Sequence, residues 1–159
     1  MGVEFESVSE ADTSRLARSL AAVVRADTVI GLVGDLGAGK TFLTRALAAS
    51  LGVDPGEVSS PTFVLIHEYE GGHLPVFHFD AYRLSGPSAF EALGAADYWR
   101  AGGVCLVEWA DRVADLLPDD AWWVRIEHAG EGRRRIVVEL PAVEGAALAR
   151  SLTEPGTTT

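Results

Sequence analysis

One octapeptide constrains this chain more than any other stretch: Gly34-Asp35-Leu36-Gly37-Ala38-Gly39-Lys40-Thr41, which spells GxxxxGK[ST]. It holds the sole lysine of the 159 residues; every other basic side chain is an arginine. Glycines let a backbone take positive φ and approach an anion closely, so that N–H groups converge on phosphate oxygens. In this pattern the Lys40 ammonium neutralises β- and γ-phosphate charge and the Thr41 hydroxyl ligates Mg²⁺. The flanks agree with that reading. Residues 28–33 are a short β-branched apolar run, which predicts a buried parallel strand. Phe42, Leu43, Ala46, Leu47 and Leu51 recur at helical spacing, and Gly52 closes the helix. A dinucleotide-binding glycine fingerprint fits less well, because Gly37-Ala38-Gly39 would need a glycine where Phe42 stands.

Composition narrows the partners. The length suits one domain with a full core, and 48% hydrophobic with 23% charged residues is ordinary globular chemistry. A formal charge of −10 argues against wrapping nucleic acid unaided, so any link to RNA is expected to pass through a partner. Cys105 is the only cysteine, which excludes an internal disulfide; its apolar run, residues 103–107, predicts a buried thiol. Residues 1–6 are acidic and lack a secretory hydrophobic region, and no apolar stretch approaches transmembrane length. The expected location is the cytoplasm, with no membrane contact.

Along the chain, Ser9-Glu10-Ala11-Asp12 resembles a capping box, and Leu16, Leu20, Val23 and Val24 form the apolar face of the helix it opens. Residues 62–69 and 74–79 are strand-like runs joined by Glu70-Gly71-Gly72-His73, a hairpin turn by composition. Residues 84–102 read as irregular helix, 104–108 as another buried strand and 111–116 as a short helix. Residues 121–127 and 134–140 form a second hairpin, 146–152 add a helical turn or two, and 153–159 are expected to be a disordered tail. The predicted fold is α/β: a P-loop NTPase-like three-layer domain over residues 1–152, with a mixed central sheet and antiparallel hairpin additions.

A glycine loop binds phosphate, but hydrolysis needs a metal carboxylate, an oriented water and a sensor of the γ-phosphate. Glu108 ends a buried strand, where such sheets put a metal-side acid; a solvated strand-end glutamate is the bland alternative. In His78-Phe79-Asp80-Ala81-Tyr82-Arg83, alternation puts His78 and Asp80 on one face. Asp80 is the candidate to orient water or accept its proton, whereas Arg83 could equally do no more than pair with it. Ser59-Ser60-Pro61-Thr62-Phe63 reads either as a switch segment bringing Thr62 to the nucleotide or as a proline-fixed strand start. Zinc on His67, His73 and His78 is set aside for want of cysteine ligands and helical spacing.

These motifs, in this order over residues 28–109, closely resemble the TsaE family of bacterial P-loop ATPases required for threonylcarbamoyladenosine in tRNA. The resemblance implies ATP and Mg²⁺ as cofactors and docking on the TsaD–TsaB complex, with tRNA met only through that complex. It implies catalytic roles for Asp80, Lys40 and Glu108. Nucleotide contacts would come from Asp35, Leu36, Gly37, Ala38, Gly39, Lys40, Thr41, Phe42, Thr62 and Trp109, and metal ligation from Thr41 and Glu108. One departure stands out. Many relatives carry a second threonine after Lys-Thr, and Phe42 replaces it here, leaving only a backbone N–H for the α-phosphate and predicting weaker nucleotide binding. GTP is disfavoured, because the chain has no asparagine for the guanine-reading Asn-Lys-x-Asp motif. Two rivals fit the same motifs: a small-molecule P-loop kinase, for which Arg133-Arg134-Arg135 is the only arginine cluster, and a nucleotide-dependent binding module with negligible turnover.

Overall fold

The computed structural model describes residues 1–35, 37–54, 66–82, 84 and 86–154. At its centre lie the buried apolar runs that the sequence marks as parallel strands. Element order is β1 (Gly2–Ser7), α1 (Glu10–Val23), β2 (Val29–Gly34), α2 (Lys40–Ser50), β3 (Ile66–Tyr69), β4 (Val76–Asp80), α3 (Pro87–Ala92), α4 (Ala95–Tyr98) and β5 (Val104–Glu108). A 3₁₀-helix (Ala110–Leu116), β6 (Trp122–His128), β7 (Arg134–Glu139) and α5 (Ala142–Thr153) complete it. The seven strands form one sheet in the order β1-β7-β6-β2-β5-β4-β3. Pairing is parallel from β6 through β2 and β5 to β4. It turns antiparallel at both flanks, where β3 pairs with β4 and the β6–β7 hairpin carries β1. The mixed sheet with hairpin additions is therefore present.

Alternation along the central strands feeds two cores, giving three layers. On one face Ile30, Leu32, Leu106, Val124 and Ile126 pack against Leu16, Leu20, Leu43, Leu47 and Leu148 of α1, α2 and α5. On the other, Val29, Phe79, Cys105 and Val107 meet Phe90, Ala95 and Trp99 of α3 and its neighbours, with Ala110 and Val113 from the 3₁₀-helix. The Phe79 ring sits 5.8, 5.5 and 5.4 Å from those of Phe90, Tyr98 and Trp99, in edge or tilted contacts.

Helix α1 begins as its capping sequence predicts. Ser9 is extended and its hydroxyl accepts the Asp12 N–H at 3.2 Å. The Asp12 carboxylate reaches back to the Val8 N–H at 2.9 Å, one residue before the usual capping-box partner. Residues 2–7 carry β1, an element not expected from the sequence, whose alternating burial sets Val3 and Phe5 inward. Two expectations need correction. The short helix after β5 is a 3₁₀-helix starting at Ala110. The last helix is longer than 146–152, running Ala142–Thr153, so Thr153 belongs to it and not to a tail. Residues 155–159 and 62–65 lie outside the described residues. Among the described residues, no helix is long and apolar enough to cross a membrane.

Candidate functional site

Strand β2 delivers the chain into the glycine loop. A Cβ on Gly34 would stand 2.5 Å from the Ile126 carbonyl oxygen, so only glycine lets β2 lie this close to β6 here. Gly37 and Gly39 take φ of 79° and 108°, values side chains rarely adopt. Gly39 then caps α2, with Leu43 N–H closing the first turn on the Gly39 carbonyl at 3.0 Å. The N-terminus of an 11-residue helix, with its positive dipole end, therefore opens directly on the loop.

Lys40 is the first residue of α2 and is buried. Its ammonium donates to the carbonyl oxygens of Gly34 and of Asp35, the latter at 2.9 Å, and lies 3.9 Å from the centre of the Trp109 ring. Burial pushes its pKa below the usual lysine value, while the negative charges of Glu108, Asp111, Asp35 and Asp80 pull it back up. Trp109 follows β5 in a left-handed conformation (φ 59°), which turns its ring across the lysine. The Tyr82 ring stacks on Trp109 at 4.8 Å, and Arg112 lies over Tyr82 while donating to the Tyr82 carbonyl oxygen at 2.9 Å.

At the end of β5, Glu108 is 3% exposed and both of its oxygens are engaged. Thr41 Oγ1 donates to Oε1 at 2.7 Å, and the His78 Nε2–H donates to Oε2 at 2.5 Å. The chain of polar groups continues toward the sheet edge: His78 Nδ1 faces the Tyr69 hydroxyl at 3.5 Å, which lies 3.0 Å from His67 Nδ1. Asp80 stands beside Glu108 in the β4–β5 register, is buried, and accepts the Tyr82 N–H at 2.9 Å. A hydroxyl and a carboxylate oxygen this close can share one small hard cation. Mg²⁺ commonly takes one or two protein carboxylates and completes its shell with phosphate oxygens and water. Among the described residues, no three histidine, cysteine, aspartate or glutamate side chains gather as a metal site.

On the opposite side of the loop a cleft of 460 Å³ opens between it and the start of α1. Val8, Phe42, Ile126 and Ile136 give it apolar walls, with Thr13 and Arg134 at polar positions. Arg134 Nε donates to the Ala38 carbonyl oxygen at 3.0 Å and so braces the loop from the β6–β7 hairpin. Its neighbours point elsewhere: Arg133 pairs with Glu6 at 2.9 Å and Arg135 with Glu4 at 2.5 Å on β1.

Of the residues singled out by sequence, Asp35, Gly37, Ala38, Gly39, Lys40, Thr41, Phe42, Asp80, Glu108 and Trp109 converge on this region. Leu36, Thr62 and Arg83 lie outside the described residues. Sequence reasoning did not find the grip of His78 on Glu108, the cleft, or the brace from Arg134. The alternation that aligned His78 with Asp80 was the available signal for the first.

Comparison with known proteins places the chain in a family. The sequence model of one family, "Threonylcarbamoyl adenosine biosynthesis protein TsaE", matches residues 7–136. The "tRNA threonylcarbamoyladenosine biosynthesis protein TsaE" of Bacillus subtilis is 40% identical over 134 residues, covering 84% of this chain and 83% of that protein. The protein of that name from Streptomyces coelicolor is 44% identical over 117 residues, 72% of this chain and 78% of its own. The crystal structure of Bacillus subtilis YdiB superposes with a TM-score of 0.77 at 33% identity, spanning 96% of this chain and 95% of that one. This chain belongs to the TsaE family.

Proposed function

We propose that this protein binds ATP with Mg²⁺ and hydrolyses it as a subunit of the machinery that makes threonylcarbamoyladenosine in tRNA, acting on a TsaD–TsaB complex. The observation that carries the chemistry is the convergence of three groups at one helix start. Lys40 is the sole lysine, Thr41 follows it, and the Thr41 hydroxyl lies 2.7 Å from the buried Glu108 carboxylate. The donor set fits Mg²⁺ bound jointly with a polyphosphate: one hydroxyl and one carboxylate from the protein, the rest of the shell being left to phosphate oxygens and water. Gly37 and Gly39 have open space where a Cβ would stand, as a loop that must approach phosphate requires.

In this reading the loop N–H groups and the positive end of α2 hold phosphate oxygens. Lys40 exchanges its bonds to the Gly34 and Asp35 carbonyls for phosphate contacts, while Trp109 limits where the ammonium can go. Thr41 and Glu108 hold the cation, which when bound supplies charge neutralisation on the transferred phosphoryl group. Asp80 orients the attacking water and takes up its proton as the β–γ bridging bond breaks, leaving ADP and phosphate. The nucleoside lies in the apolar cleft beside Phe42, Ile126 and Ile136. The tRNA-modification process is the one named for the relatives to which this chain is similar. The net charge of −10 agrees with a subunit that leaves tRNA to its partners.

Phosphate release, measured with and without TsaD–TsaB, tests the reading. Wild type is expected to release phosphate steadily. Lys40→Ala and Asp80→Ala each abolish turnover. Absence of release under both conditions would leave a nucleotide-gated binding module, and a phosphorylated small-molecule acceptor would make the protein a kinase. Normal turnover by Asp80→Ala would remove the role given to that carboxylate alone.

A further inference from the structure

His78 is fully buried between two strands, on the same face as the site, yet none of the steps above uses it. It has no apolar reason to be there: Val76, two residues earlier on the same face, is fully buried and shows that hydrophobic side chains fill this environment. Its imidazole holds the one oxygen of Glu108 that Thr41 does not, at 2.5 Å, while its other nitrogen faces the Tyr69 hydroxyl. A carboxylate has several acceptor directions and a rotatable end, so one hydrogen bond would leave its plane free to turn. Two donors on opposite oxygens fix it. Carboxylates that bind metals are themselves oriented by such outer hydrogen bonds, and loss of the outer partner typically weakens metal binding about 10- to 100-fold.

We propose that His78 is a positioning residue: its Nε2–H sets the Glu108 carboxylate so that Oε1 and Thr41 Oγ1 present a preformed pair of oxygens to a divalent cation. Tyr69 in turn orients the imidazole, so strand β3 at the sheet edge is tied to the P-loop threonine through three side chains. This inference rests on the proposed cation site at Thr41 and Glu108.

The test is Mn²⁺ binding to the complex of the protein with ADP, followed by electron paramagnetic resonance, beside metal-free binding of a fluorescent ADP analogue. His78→Leu keeps the volume and removes the donor. It is expected to weaken Mn²⁺ about 10- to 100-fold, with metal-free nucleotide affinity within about threefold of wild type, a change of less than ~0.7 kcal/mol. His78→Gln carries an amide N–H near the Nε2 position and is expected to recover most of the affinity. His78→Asn carries its amide near Nδ1 and is not. Should His78→Leu lose metal-free nucleotide binding through misfolding, the glutamine and asparagine variants decide. Equal Mn²⁺ affinity in folded leucine and wild-type proteins, or in the glutamine and asparagine pair, overturns the role of His78. Absence of saturable Mn²⁺ binding by wild type with ADP would instead overturn the cation site itself and this inference with it.

Discussion

Gly34 illustrates how little room the site leaves at the scale of a single residue. The atom nearest a new Cβ is the Ile126 carbonyl oxygen at 2.5 Å, a backbone atom of the neighbouring strand that cannot rotate away. Gly34→Ala is therefore expected to lower stability by about 1–3 kcal/mol, as overpacking does, and to shift the loop as β2 and β6 part. A urea unfolding series checks the first and nucleotide titration the second; unchanged stability would mean that the strands are not held as described. Gly37 and Gly39 are constrained differently, by positive φ and not by contact. The positive φ was legible in the octapeptide; the contact with Ile126 was not, because it depends on β6 lying beside β2. Nor were the partners of Lys40, because an ammonium resting on two carbonyls and an indole ring depends on Trp109 adopting a left-handed turn 69 positions later.

Elements carry the site as much as residues do. Helix α1 begins at the rim of the apolar cleft, and its cap draws Ser9, Asp12 and Val8 into one hydrogen-bonded turn. Ser9→Ala is expected to cost about 1 kcal/mol of stability. It should also weaken nucleotide binding, because the turn that frays lines the cleft. A thermal unfolding scan beside a nucleotide titration would detect both, and a stability loss with unchanged affinity would remove the cleft from the binding site. That cap could be read directly from Ser9-Glu10-Ala11-Asp12. The start of α5 could not, since Gly145 lowers local helix propensity by about 1 kcal/mol. Tertiary packing overrides it: a Cβ on Gly145 would stand 2.8 Å from Met1 Sδ, so the missing side chain lets the N-terminus lie against the helix. Strand β1 was legible in principle from the alternation of Val3 and Phe5 with Glu4 and Glu6. The 3₁₀ geometry after Trp109 has no comparable mark in the sequence.

For the whole molecule, the sequence reached the three layers and both hairpins, but not the order of the strands. The order matters chemically, because β4 must lie beside β5 for His78 and Asp80 to flank Glu108. The double core also makes a prediction about pH. Cys105, buried beneath α4 with its thiol donating to the Tyr98 carbonyl at 3.3 Å, has its pKa pushed up to about 12 by burial. The folded state keeps this proton where the unfolded chain releases it, so stability is whole below the ordinary thiol range and is lost as pH rises toward 12. The loss is at most about 1.4 kcal/mol per pH unit. Wild type should therefore lose stability faster than Cys105→Ala between about pH 9 and pH 11; parallel curves in denaturant titrations would contradict the buried thiol. The proposed function depends on a nucleotide's phosphates lying against residues 37–41. Its most direct test is a crystal structure with Mg²⁺ and a non-hydrolysable ATP analogue at saturation. The predicted result is a triphosphate along the loop with the metal held by Thr41 and Glu108. A nucleotide bound elsewhere, or a loop without phosphate under those conditions, would contradict it.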